Sequence, residues 1–218
     1  MSDKKNLTVK EAFALAVQSR QNNNLQDAQN YYYKVLEIDP NVVDAHYNLG
    51  NIFKALGDIQ KAKDCFEKAI EINPNYAHAH NNLGVIFKDL GENQKAKDCY
   101  EQAIKINPNY ANTHYNLGAI YHDLGENEKA KECYEQAIEL NPNYVNAHYN
   151  LGVIFKELGE NQKAKDCYEQ AIELNPNYAN THYNLGVIFQ ELGENQKAKD
   201  CYEQAIKINP TYAAAHNN

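Results

Sequence analysis

The chain repeats itself every 34 residues, and this period limits the possible folds more than any other feature. Its five cysteines and six prolines all fall at this interval. So do its ten glycines, in two series, one of which is Gly50, Gly84, Gly118, Gly152 and Gly186. A fixed period of this length is typical of repeat proteins, in which each repeat packs only on its neighbours. We therefore expect a stack of similar repeats rather than one globular core.

The first half of each repeat has the pattern of a helix. In the segment 77–110, Leu83, Phe87 and Leu90 share one side at helical spacing. Gly91 follows as a stop signal, because a glycine tolerates the positive φ that often ends a helix. The pattern predicts a first helix that ends just before Gly91.

The second half of the same repeat predicts another helix. Ala96, Tyr100 and Ala103 recur at helical spacing, and Pro108 then prevents the helix from continuing. Asn109 is predicted to cap the first helix of the next repeat. Each repeat therefore reads as two antiparallel helices, and the fold class as all-α.

These signals together resemble one known family, the tetratricopeptide repeats. The resemblance covers residues from about 9 to 212 and rests on the pattern Leu83-Gly84, Phe87, Ala96, Tyr100, Ala103 and Pro108. It implies a right-handed superhelical solenoid of antiparallel helix pairs. Small residues at the glycine and alanine positions would let the two helices of a repeat approach closely.

The resemblance also divides the chain into segments. Residues 1–8 form an N-terminal tail, and 9–42 a degenerate capping repeat in which Asn23 replaces the turn glycine. Thr8 and Glu11 form a predicted capping box in front of that repeat. Five full repeats follow, at 43–76, 77–110, 111–144, 145–178 and 179–212. Residues 213–218 are expected to begin a truncated further helix.

In this family, stacked first helices line a concave groove that binds extended peptides, and an asparagine ladder is the leading candidate site. It consists of Asn48, Asn82, Asn116, Asn150 and Asn184. An amide side chain offers one donor group and one acceptor, which match the polar atoms of a peptide unit. The same asparagines could instead bridge neighbouring helices, and the sequence leaves both roles open.

Other residues on the same helices extend the candidate peptide-binding set. A tyrosine precedes four of the asparagines, and tyrosine serves equally in interface hot spots and in packing. The set is completed by Tyr47, Tyr115, Tyr149, Tyr183, Lys88 and Lys156. The repeats are similar to those of O-linked N-acetylglucosamine transferases, which share this asparagine, a histidine such as His114 before Asn116, and a Cys-Tyr pair such as Cys99-Tyr100.

The repeated histidines and cysteines point to packing rather than to a metal or redox centre. The histidines recur as His46, His80, His114, His148 and His182. Residues one repeat apart lie on neighbouring hairpins, roughly 10 Å apart, which is too far to share an ion or a disulfide. We predict no metal, no cofactor and no disulfide.

The composition favours a protein partner over other classes. The formal charge is −8 and the pI about 5.5, so no basic patch for nucleic acid is expected. No apolar segment is long enough for a signal peptide or a membrane span, which predicts a cytoplasmic protein that does not contact membranes. Catalysis needs unlike groups that converge once, whereas this chain repeats one environment, so no enzyme is predicted.

Three functions remain open at this point. The first is a non-catalytic scaffold that binds an extended segment of a partner in the concave groove. The second is a substrate-presenting arm of a larger enzyme of glycosyltransferase or sulfotransferase type. The third is a structural role, in which the uncapped C-terminal end supports self-association.

Overall fold

The computed structural model describes residues 7–211, which form twelve α-helices and no strand. The helices are α1 (Val9–Gln21), α2 (Leu25–Ile38), α3 (Val43–Ala55), α4 (Ile59–Ile72), α5 (Ala77–Asp89), α6 (Asn93–Ile106), α7 (Ala111–Asp123), α8 (Asn127–Leu140), α9 (Val145–Glu157), α10 (Asn161–Leu174), α11 (Ala179–Glu191) and α12 (Asn195–Ile208). Odd-numbered helices are the first helices of their repeats and even-numbered helices the second. The all-α prediction is confirmed.

The chain divides into two compact units, Met1–Pro108 and Asn109–Asn218. Unit 1 contains the hairpins α1–α2, α3–α4 and α5–α6, and each second helix packs on the first helix of the next hairpin. Unit 2 has the same arrangement, with α7–α8, α9–α10 and α11–α12. Within each unit the contacts run between neighbouring hairpins, as a repeat protein requires.

Close approach of the two helices in each of the five full repeats depends on the first glycine series. In α9, a Cβ added to Gly152 would lie 2.6 Å from Cε1 of Tyr168, which is fully buried in α10. The same relation holds in unit 1 between Gly84 and Tyr100, also at 2.6 Å. In the five full repeats each of these second-helix rings therefore covers a glycine of its own hairpin, and a larger residue at that glycine would displace the ring.

Turn geometry accounts for the second glycine series and for its one exception. Gly91 has a φ of 75°, and Asn23, at the equivalent place in the first hairpin, has a φ of 59°. Asparagine tolerates this left-handed conformation better than most residues. The capping box is also confirmed, since Thr8 and Glu11 exchange side-chain and backbone hydrogen bonds at the start of α1.

Two details of the sequence interpretation are wrong. Asn109 does not cap α7, whose N-cap is Tyr110 without a side-chain hydrogen bond. Leu90 does not face the core, because it is the C-cap of α5 and remains 52% exposed. The predicted further helix at 213–218 lies outside the described residues.

Candidate functional site

The first helices carry a face on which the candidate residues recur, and we call it the first-helix face. In α9, Tyr149 and Lys156 are seven residues apart, or almost two full turns, so they point to the same side. Lys88 lies in the last turn of α5, as Lys156 does in α9. Both lysines are half-buried, and neither forms an ion pair within the described residues. Their ammonium groups remain available to a ligand on this face.

In unit 2 the asparagine ladder uses its donor groups internally. The Asn150 amide donates to the hydroxyls of Tyr115 and Tyr134, at 3.3 Å each. The Asn184 amide donates to the Tyr149 hydroxyl at 3.2 Å. Neither Oδ1 atom accepts a hydrogen bond from the described residues. In both side chains the acceptor half remains open while the donor half ties successive repeats together.

In unit 1 both halves of the corresponding amides are occupied. The Asn48 amide donates to the Asp44 carbonyl at 2.7 Å, and its Oδ1 accepts from Arg20 at 2.7 Å. The Asn82 amide donates to Asn51 Oδ1 at 2.8 Å and to the Tyr47 hydroxyl at 3.4 Å.

The last contact in unit 1 comes from the residue next to Asn82. The Asn82 Oδ1 accepts from the amide of Asn81 at 3.2 Å. Arg20, Asn51 and Asn81 each replace the residue found at the same position in most other repeats. These three replacements close the ladder in unit 1.

The tyrosine series lies in columns of packed aromatic rings. In unit 2 the Tyr149 ring lies 6.0 Å from that of Tyr168 and 5.1 Å from that of Tyr178, centroid to centroid. Tyr115 has the same neighbours one repeat earlier, with the Tyr144 ring at 4.9 Å. The tyrosines therefore pack and also remain half-exposed on the first-helix face.

Beneath this face lie tyrosine hydroxyls that the sequence interpretation missed. Tyr100 and Tyr168 are fully buried, and the Tyr100 hydroxyl has no hydrogen-bond partner. Burial raises the pKa of both phenols, with a further contribution from Asp89 near Tyr100 and from Tyr149 and Glu157 near Tyr168. The Tyr100 phenol is therefore a protonated donor without an acceptor, beneath the first-helix face.

The remaining ladder residues occupy equivalent places. Asn116 in α7 and Tyr183 in α11 are half-buried, like their counterparts in the other first helices. In unit 1, Tyr47 packs against Phe66 at 5.8 Å and against Tyr76 at 5.3 Å.

The histidines and cysteines have structural contacts. The Nε2 atoms of His80 and His148 lie 3.0 and 2.9 Å from the carbonyls of Pro74 and Pro142, so each ring donates to the loop before its helix. The described cysteines are free thiols, and burial raises the pKa of Cys99 to about 11. In residues 7–211, no cluster of three or more histidine, cysteine or carboxylate side chains could hold a metal.

Comparison with known proteins places these repeats in context. A family model described as TPR repeat matches residues 19–57, 86–125, 118–159 and 154–193. Two models of the tetratricopeptide repeat match 43–76 with 179–212, and 65–98. No curated protein sequence is significantly similar to the chain.

Solved structures agree on the fold. PilF of Pseudomonas aeruginosa is 20% identical, with a TM-score of 0.85 over 96% of this chain and 95% of that one. PilW, a type IV pilus biogenesis factor, is 19% identical, with a TM-score of 0.79 over 96% and 97%. YrrB, a TPR protein with an unusual peptide-binding site, is 24% identical, with a TM-score of 0.74 over 85% and 96%. At these identities the likeness concerns the fold alone. None of the described helices is long and apolar enough to span a membrane.

Proposed function

The chain belongs to the tetratricopeptide-repeat family, and we propose that it is a protein-interaction scaffold that binds an extended peptide on the first-helix face of unit 2. The open Oδ1 atoms of Asn150 and Asn184 carry this proposal. An amide oxygen with a free lone pair accepts a backbone N–H from any residue except proline. Two such acceptors on successive repeats would bind a peptide through its backbone, with no requirement for particular side chains.

The aromatic rings and the lysine give this site its remaining affinity. Tyr149 and Tyr183 offer half-exposed rings on which aliphatic parts of a peptide can pack. Lys156 offers an ammonium group to a carboxylate or carbonyl of the ligand. The peptide-binding site named for YrrB supports a peptide ligand for this fold, although that relative is too distant to locate the site here.

A selected peptide and two matched double variants test the proposal. Peptides selected on the whole chain from a random phage library would be labelled and titrated by fluorescence anisotropy. Asn150→Ala with Asn184→Ala removes both open acceptors, and we expect a loss of roughly 10-fold or more, as two hydrogen bonds predict. Asn48→Ala with Asn82→Ala removes two amides that are already satisfied and should leave the affinity within about 2-fold.

Backbone recognition gives a second readout. Peptides N-methylated at alternate residues should lose affinity for the parent chain and not for the Asn150 and Asn184 double variant. Equal losses from both double variants, once circular dichroism shows that both are folded, would refute recognition through unit 2. Unchanged binding in both would move the site away from the ladder altogether.

Two earlier hypotheses stay predictions. A role as the substrate-presenting arm of a glycosyltransferase-type enzyme rests only on the resemblance of the ladder, and no residue proposed here performs chemistry. Self-association through the C-terminal end concerns residues outside those described. Sedimentation over a range of concentrations would test it, since a constant monomer mass contradicts it.

A further inference from the structure

A second groove lies between second helices, away from the asparagine ladder. In unit 1 it runs between α4 and α6, with the start of α5 below, and has a volume of about 420 Å³. Its floor consists of the apolar side chains Ile70, Leu83 and Cys99. This volume falls within the roughly 300–1,000 Å³ of pockets that hold small ligands, which is room for one or two aliphatic side chains.

Carboxylates surround this apolar floor, and no lysine belongs to the lining of the groove. Glu67, Glu71 and Asp98 belong to the lining. Two lysines outside the groove compensate part of this charge: Lys68 lies 2.9 Å from Glu71, and Lys63 lies 3.6 Å from Glu67. The groove is therefore apolar at its base and negative at its edge.

Unit 2 carries the same residue types at the equivalent positions of α8, α9 and α10, and from this equivalence we infer a second groove between α8 and α10. The floor positions are Ile138, Leu151 and Cys167, and the edge positions are Glu135, Glu139 and Asp166. Burial raises the pKa of Cys167 to about 12, and the neighbouring Asp166 and Glu135 add to the effect. Asp98 and Glu67 act on Cys99 in the same way. In both units, two of the three edge carboxylates therefore act electrostatically on the thiol.

In unit 2 the carboxylates at the edge of the groove keep more of their negative charge, because one substitution changes the carboxylate with which a lysine forms an ion pair. Glu128 replaces the glutamine found at this position in the other full repeats, and it forms an ion pair with Lys131. In the neighbouring repeat the equivalent lysine, Lys165, instead pairs with Glu169, which corresponds to Glu135. Glu135 is left without an ion pair within the described residues.

The other two edge carboxylates of this groove have only neutral partners. Glu139 accepts from Gln136 at 2.9 Å, and Asp166 accepts from Gln162 at 2.9 Å. The balance of charge in the whole unit points the same way, since residues 109–218 contain 8 lysines against 15 aspartates and glutamates.

We propose that the groove between α8 and α10 docks a lysine- or arginine-rich segment of a partner protein, with an aliphatic side chain of that segment on the floor formed by Ile138, Leu151 and Cys167. The charges of the segment would face Glu135, Glu139 and Asp166. None of these forms a close ion pair with a lysine, although Lys131 acts on Glu135 electrostatically. Burial of the aliphatic side chain supplies affinity, and the carboxylates select a basic sequence around it. This site is independent of the peptide site on the first-helix face.

A designed peptide tests this surface directly. The probe is a labelled peptide of the sequence Lys-Lys-Leu-Lys-Leu-Lys-Lys, titrated against the whole chain by fluorescence anisotropy. One control peptide replaces both leucines with serine, and another replaces the lysines with glutamate. We expect the parent peptide to bind at least about 5-fold more tightly than the serine control, since two leucines bury apolar surface. The glutamate control should not bind.

Matched variants of the chain locate the site. Glu135→Gln with Glu139→Gln should weaken binding of the leucine peptide about 5-fold or more, because charge pairing is lost at the edge of the groove. Glu126→Gln with Glu160→Gln changes the net charge equally, at carboxylates that Lys129 and Lys163 already neutralise. This control should bind as the parent does.

Three outcomes would overturn the proposal. Equal weakening by both double variants would mean that the peptide responds to overall charge. Equal binding of the serine and leucine peptides would mean that no apolar floor is used. Binding that survives Glu135→Gln with Glu139→Gln would place the peptide elsewhere. Glu135 and Glu139 are exposed, whereas Glu126 and Glu160 are half-buried. An unchanged Tm would confirm that each variant is folded.

Discussion

Units 1 and 2 repeat the same hairpins but present different surfaces. In unit 1, Arg20 and Asn81 occupy the amide oxygens of Asn48 and Asn82. In unit 2 the oxygens of Asn150 and Asn184 stay open. Unit 1 also balances 13 basic residues against 14 acidic ones, whereas unit 2 has an excess of seven acidic residues. Near-identical repeats can therefore differ in function through a few single substitutions.

This contrast also shows where binding capacity resides in a repeat protein. The glycines and buried aromatic rings are common to both units and determine the hairpin. Substitutions such as Asn81 and Glu128 leave the hairpin unchanged and alter which polar groups are available. A residue that departs from its repeat therefore says more about recognition than one that follows it.

The largest expected effect concerns the independence of the two units. Leu117 in α7 is 5% exposed, and Leu117→Ala should cost about 2–5 kcal/mol through lost burial and the cavity left behind. Because each helix packs mainly on its neighbours within its unit, the loss should fall mainly on unit 2. Hydrogen exchange should show protection lost in residues 109–211 and retained in α1 to α4. A uniform loss of protection would mean that the chain unfolds as one cooperative body.

The second prediction concerns a variant that gives a residue of unit 1 the identity found at the same position in unit 2. Asn81→Tyr places in α5 the residue found at this position in the other full repeats, and it removes the donor to Asn82 Oδ1. The freed acceptor should tighten binding of the selected peptides about 2- to 10-fold, as one hydrogen bond predicts. Anisotropy titration measures the change, with Asn81→Ala as a control that opens the acceptor without adding a ring. If neither variant binds the peptides more tightly, an open Oδ1 atom does not contribute to their affinity.

A third prediction compares two buried tyrosines. The Tyr100 hydroxyl has no partner, so Tyr100→Phe should raise the free energy of unfolding by about 1 kcal/mol. The Tyr134 hydroxyl accepts from Asn150, so Tyr134→Phe should lower it by about 1 kcal/mol. Urea denaturation measures both. Changes of the same sign would mean that the Asn150 contact contributes nothing to stability.

Much of the fold could be predicted from the sequence, because the period and its punctuation are local signals. Gly91 and Asn23 indicated turns that the backbone adopts, and the Thr8 capping box formed as expected. Asn109 was misassigned as a cap because a loop asparagine and a capping one look alike in sequence. The side chain that would cap α7 belongs to Tyr110, which makes no capping hydrogen bond.

The candidate site could be predicted less completely, because hydrogen-bond partners are distant in sequence. The sequence identified the asparagine ladder, yet it left open whether the amides bridge helices or face a ligand. The Asn184 amide bonds to Tyr149, 35 residues away, and no spacing rule predicts which half of the amide this uses. The partnerless hydroxyl of Tyr100 likewise depends on packing between helices and has no sequence signature.

The smallest expected effect tests why the groove between α8 and α10 carries more uncompensated negative charge than the groove between α4 and α6. Glu128→Gln restores the residue of the other full repeats and releases Lys131 from its ion pair. Lys131 would then pair with Glu135, as Lys165 pairs with Glu169. Exposed pairs are weak, so binding of the leucine peptide should fall by less than about 3-fold. Glu194→Gln removes a carboxylate paired with Lys197 and serves as the control. Tighter binding after Glu128→Gln would mean that the Glu128–Lys131 ion pair does not leave the charge of Glu135 uncompensated. The difference in charge between the two grooves would then need another cause.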